Sequence, residues 1–85
     1  MKKNIIKDKS YAFALKSIRI YKMLVKKNEF ILSKQFLRSA TSIGANVEEA
    51  TQAHSKKDFI FKLGISQKEA FEVHYWLRLL RDSQY

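Results

Sequence analysis

The 85-residue chain has no cysteine and no proline, and only two glycines, Gly44 and Gly64. Without cysteine there are neither disulfides nor thiolate metal sites. With so few backbone breakers, long unbroken helices are favoured over strands and turns. No apolar run approaches the ~18–20 residues of a membrane span, so a membrane is not an expected partner. The segment Met1-Lys2-Lys3-Asn4-Ile5-Ile6-Lys7 begins like a signal peptide but lacks an apolar stretch of the needed length. A cytoplasmic location is therefore expected. Acidic residues are scarce in one half only. Residues 1–47 hold eleven Lys or Arg against Asp8 and Glu29, whereas residues 48–85 hold six of each sign. The whole net charge of +9 therefore sits on the first half. Such asymmetry suggests a polyanion, an acidic protein surface or an acidic segment outside this chain.

A chain of this size makes one domain, close to the lower limit for a lone core. Three helices account for residues 1–85, at about 10–27, 33–53 and 56–82. Ser10 and Ser33 are candidate caps for the first two. Ser55 with Asp58 resembles a capping box with a shortened acid for the third. On the first helix Tyr11, Ala14, Leu15, Ile18, Tyr21 and Val25 form one seam, and Phe13, Ile20 and Leu24 a second. Phe30 and Ile31, in the first connection, are expected to tuck against the bundle. The third helix is apolar on two sides, through Phe59, Leu63, Ala70, Val73, Leu77 and Leu80 on one and Phe61, Ile65, Trp76 and Leu79 on the other. Two shorter neighbours cannot cover both, so the pattern demands a further helix from this chain or another subunit.

The second helix is the most informative segment. Phe36, Ala40, Ile43, Val47 and Ala50 recur at steps of three and four and make a core seam. Beside it runs a stripe of Gln35, Ser39, Ser42, Asn46 and Glu49. Lys and Glu would suit a solvated face better. Short hydrogen-bonding side chains at this spacing suit a close helix–helix contact whose polar atoms find partners inside it. Gly44 within a helix costs roughly 1 kcal/mol relative to Ala, which close approach of a neighbouring backbone would offset. Arg38 and Glu49 are expected to pair across a helix or subunit contact.

Catalytic chemistry finds little support in these residues. Thr51 and Phe71 stand three residues before His54 and His74, so the Glu-x-x-His pair of di-iron bundles is missing. Glu48, Glu49, Glu69 and Glu72 would bind a cation only if they converged, and pairing of Glu69 with a nearby Lys is the simpler expectation. Ser39 and Ser42 have no His or Lys at a spacing that would activate a nucleophile. No cofactor, metal site or enzymatic activity is expected.

The run Gln35-x-x-Arg38-Ser39-x-x-Ser42-Ile43-x-Ala45-Asn46-Val47-x-Glu49 resembles the signature of small bacterial four helix bundle proteins. These were first noticed as reading frames inside intervening sequences of large-subunit ribosomal RNA genes. They share their fold with the accessory variability proteins of diversity-generating retroelements. The resemblance extends from about Tyr11 through Trp76-Leu77-x-Leu79-Leu80. Ala50 stands where the family often has Gly, and the chain stops at Tyr85 where the family continues into a fourth helix. The resemblance implies an all-α, antiparallel up-down helical bundle with three long helices here and the family's fourth helix absent. It also implies self-assembly into a homopentamer, with Gln35, Arg38, Ser39, Ser42, Asn46, Glu49 and Trp76 in helix packing or the subunit interface. The retroelement relatives suggest nucleic acid and a reverse transcriptase as partners.

Lys9, Lys16, Arg19, Lys22, Lys26 and Lys27 share one arc of the first helix and make the best functional candidate. Besides keeping the protein soluble, such a face can contact RNA or DNA phosphates, and repetition in a ring would add avidity. Lys outnumbers Arg thirteen to four, which favours backbone contact over base readout. The alternative is a protein-interaction module that recruits a partner such as a reverse transcriptase, with no direct nucleic-acid role.

Overall fold

The computed structural model describes residues 4–85; Met1, Lys2 and Lys3 of the signal-like segment lie outside the described residues. Helix α1 spans Ile5–Lys26, α2 spans Leu32–Thr51 and α3 spans Lys56–Asp82. There is no strand among the described residues. Helix α1 starts well before Ser10, because the Asn4 side chain accepts from the Lys7 N–H at 3.0 Å and nothing after it breaks the helix. Ser10 is buried inside the helix, where its Oγ donates to the Lys7 carbonyl at 3.1 Å.

The α1–α2 connection is built on one left-handed residue. Asn28 adopts φ 64°, a conformation Asn tolerates better than most residues. The amides of Asn28 and Glu29 then close back on the Val25 and Leu24 carbonyls, both at 2.9 Å, in a Schellman-type ending. This turn sends the Glu29 side chain inward. Its carboxylate accepts from the amides of Ile31, Leu32 and Ser33, and Ser33 Oγ donates to the Glu29 carbonyl at 2.7 Å. Glu29, not Ser33, therefore caps α2, and a negative charge there suits the helix dipole. With Glu29 turned in, Phe30 and Ile31 are turned out, 56% and 78% exposed, instead of tucking against the bundle. At the next connection Ser55 Oγ accepts from the Asp58 amide at 3.0 Å and starts α3.

Helix α2 is the middle of the protein. It packs against both α1 and α3, while no Cα of α1 comes within 8 Å of one in α3. The result is a slab of 43 × 24 × 15 Å. The α2–α3 partners run antiparallel, with Ser39 facing Glu72, Ile43 facing Ser66 and Glu49 facing Lys62. The core joins Leu24, Phe36, Ala40, Val73 and Leu80, with Phe13, Ile20, Leu32, Ile43 and Trp76 packed on its edge.

Helix α1 turns inward the expected second seam, with Leu24 buried and Phe13 and Ile20 partly so, together with the buried Ser10 and Ser17. Of the first seam, Ala14, Ile18, Tyr21 and Val25 are half-buried, whereas Tyr11 and Leu15 are exposed. At Ser10 the cause sits on α2: a Cβ built on Gly44 would lie 3.3 Å from the Ser10 carbonyl oxygen. At so close an approach only small residues fit between the helices. On α3, Phe59, Ile60, Phe61, Phe71, Tyr75 and Leu77 are exposed, so the three helices leave much of its apolar surface uncovered.

Candidate nucleic-acid interface and the polar α2–α3 contact

Lys9, Lys16, Arg19, Lys22, Lys26 and Lys27 are all exposed. From Lys9 to Lys26 the row runs about 26 Å at ~1.5 Å rise per residue. No residue in it forms an ion pair within 4 Å among the described residues. Asp8 is the sole acid of α1.

The acids elsewhere are mostly engaged. Arg38 Nη1 lies 3.1 Å from Glu69 Oε2 and Nη2 lies 2.6 Å from Glu72 Oε1, so one guanidinium of α2 clamps two carboxylates of α3. Ser39, fully buried, accepts from Arg38 Nη2 at 3.0 Å and donates to Glu72 Oε1 at 3.1 Å. The Arg38 hydrogen bond holds the Glu72 carboxyl below its ordinary range, and the Ser39 hydroxyl adds to this. Glu69, with a side chain only 9% exposed, pairs with Arg38 across the helices, not with a lysine of its own helix. Glu49 receives Lys62 Nζ at 2.8 Å, which raises the lysine's pKa. Arg81 pairs with Asp82, and Glu29 is buried under the α2 amides.

The remaining members of the α2 stripe have mixed settings. Gln35 is exposed and accepts from Arg38 Nε at 3.5 Å. Ser42 and Asn46 are half-buried, and Asn46 Nδ2 donates back to the Ser42 carbonyl at 2.9 Å. Ser66 of α3 donates to the Ile43 carbonyl at 2.8 Å, a cross-helix bond to backbone. Trp76 is half-buried on the core edge and meets Tyr75 edge-on at 5.3 Å.

The free acids Glu48 and Asp58 line an open groove of about 450 Å³ beside the α2–α3 turn, with Lys7, His54 and Lys62. No group of three His, Asp or Glu placed to hold a metal occurs among the described residues. The opposite end carries Lys26, Lys27 and Lys34, and the one acid within that connection, Glu29, is buried.

Reading the sequence missed three features here. Arg38 pairs across a helix contact as expected, but its clamping of two carboxylates, Glu69 and Glu72, was signalled only by two acids three apart on one face. The Glu29 cap had no pattern, because it depends on the left-handed Asn28. The outward Phe30 and Ile31 follow from that cap.

Comparison with known proteins adds relatives. A family model described as 23S rRNA-intervening sequence protein matches residues 2–85. A crystal structure of a Bacteroides thetaiotaomicron protein of unknown function, from the S23 ribosomal protein family, is 55% identical with a TM-score of 0.94. The match covers 95% of this chain and 76% of that one. No match was found among functionally curated proteins. No helix among the described residues is long and apolar enough to cross a membrane.

Proposed function

The chain belongs to the 23S rRNA-intervening sequence protein family, and from that premise we propose a non-catalytic, oligomeric nucleic-acid-binding bundle. It contacts RNA or DNA phosphates through the outer face of α1. One observation carries this reading: six exposed cations in a row of about 26 Å at helical rise, without ion-pair partners among the described residues. A row of lysines is a footprint for a phosphate backbone, with affinity from counterion release. The family's name ties it to an intervening sequence of 23S rRNA, which makes RNA the first probe.

Self-association is part of the same proposal. Phe61 and Phe71 are each more than 60% exposed on α3, and each large side chain left in water forgoes ~1.5–3 kcal/mol. Covering them with further copies would repeat the basic face and turn weak contacts into avid binding.

The test is a titration of fluorescent RNA against salt. With about six phosphate contacts, affinity drops by roughly 10³ between 50 and 200 mM salt. The combined change Lys16→Glu, Arg19→Glu, Lys22→Glu and Lys26→Glu abolishes binding without unfolding the bundle, since all four side chains are exposed. Full affinity in that variant would defeat the proposal. Sedimentation mass tests the assembly separately.

A further inference from the structure

The α1–α2 connection is an exposed apolar tip on a rigid base. Phe30 and Ile31 stand 56% and 78% exposed, adjacent in sequence. The backbone beneath them is closed on both sides. Lys27, Asn28 and Glu29 donate to carbonyls at the end of α1, and Ile31, Leu32 and Ser33 donate to the Glu29 carboxylate. A loop so restrained loses little freedom when something lands on it, and preorganisation of this kind favours binding.

The exposed charges that flank the tip in sequence are one-signed. Lys26 and Lys27 precede it and Lys34 follows it, all exposed and without ion-pair partners among the described residues. Glu29, the acid that would neutralise them, is buried. Its carboxylate also takes the amides at the α2 N-terminus, so an incoming phosphate meets lysines there, not the helix end. The tip continues the cationic row of α1, whose last members are Lys22, Lys26 and Lys27.

From this we propose that Phe30 is a stacking platform for an unpaired base, with Lys26, Lys27 and Lys34 holding the flanking phosphates, so that the protein prefers single-stranded RNA to duplex. The site rests on the nucleic-acid reading given above and adds to it the kind of strand recognised. An aromatic face set among lysines is the general device for single strands, because every unpaired base offers a π-face. In a duplex the bases are already stacked and only phosphates are on offer. Ile31 provides apolar contact at the edge of the stacked base.

The experiment compares a fluorescein-labelled oligouridylate with a duplex RNA of equal length, at one salt concentration. The proteins are wild type, Phe30→Ala and Phe30→Trp. Both substitutions fall on an exposed side chain, and unchanged circular dichroism and melting confirm that the fold persists. Phe30→Ala weakens single-strand binding about tenfold, leaves duplex binding within twofold and leaves the salt slope unaltered. Phe30→Trp keeps single-strand affinity and shows indole fluorescence quenched by the oligonucleotide. If wild type binds both RNAs equally and Phe30→Ala changes neither, the stacking site is wrong while phosphate binding by α1 stands. If wild type binds neither RNA even at low salt, both readings fall. If Phe30→Ala weakens binding to phosphatidylserine vesicles and not to RNA, the tip is a membrane anchor and the stacking proposal is overturned.

Discussion

The two glycines make a controlled pair, because both lie inside helices and neither has a positive φ. Replacing a helical glycine by alanine removes excess freedom from the unfolded chain and gains about 1 kcal/mol where the new methyl has room. At Gly64 it has room, since a Cβ there meets nothing within 4 Å. Gly64→Ala should therefore stabilise by about 1 kcal/mol. At Gly44 the Cβ would sit 3.3 Å from the Ser10 carbonyl oxygen, 3.5 Å from its carbon and 3.6 Å from its Oγ. The carbonyl belongs to a helix backbone and cannot rotate aside, so α1 must shift outward by a few tenths of an ångström. That loosens its contact with α2, and overpacking of this kind costs about 1–3 kcal/mol. The propensity gain is cancelled or reversed, leaving the two variants about 2 kcal/mol apart. For a domain of this size the separation corresponds to a Tm difference on the order of 10 °C. Thermal and urea unfolding followed by circular dichroism, at one protein concentration, reads it directly. If Gly44→Ala stabilises as much as Gly64→Ala, α1 does not approach α2 as closely as described, and the account of Ser10 and Ser17 as buried spacers fails.

Two further predictions concern the carboxylates. Glu29→Ala strips the acceptor from three amides at the start of α2 and should cost about 1–2 kcal/mol; a loss within the ~0.5 kcal/mol typical of bland surface changes would remove the cap from the account. Glu72, held by Arg38 below the 4.5 of an unpaired glutamate, makes part of the stability pH-dependent. The folded state binds its proton less readily than the unfolded state, so the contribution is complete above about pH 4.5 and is lost as pH falls through the lowered folded value. Urea midpoints of wild type and Glu72→Gln should therefore differ most near neutrality and converge in acid. A gap of the same size at pH 7 and pH 3 would mean that Arg38 does not hold Glu72.

The sequence discloses whichever features follow from periodicity. The seam of Phe36, Ala40, Val47 and Ala50 is buried as its spacing requires, and the polar stripe beside it supplies Ser39 to the α2–α3 contact. Hydropathy misleads on part of α1. There Tyr11 and Leu15 look like core but are exposed, whereas Ser10, which meets Gly44, and Ser17 are buried. The clue was available in the heptad line Ser10, Ser17, Leu24, opposite a glycine in the next helix. The Glu29 cap was not available, since it depends on one left-handed residue and on a charge entering the interior. Local propensities do not encode that choice; the satisfied α2 amides do.

The same accounting of carboxylates links fold to function. A chain with eight acids among seventeen bases could scatter its charges evenly. Here Glu69, Glu72 and Glu49 are drawn into the α2–α3 contact and Glu29 into the first connection. Each of these acids is held by a partner outside α1. The slab geometry finishes the separation. No Cα of α1 comes within 8 Å of one in α3, so the α1 backbone lies apart from the helix that holds Glu69 and Glu72. Packing a fourth element across α1 would hide the cations. Packing copies against α3 would leave them in water and multiply them, which is the arrangement a phosphate-binding assembly requires.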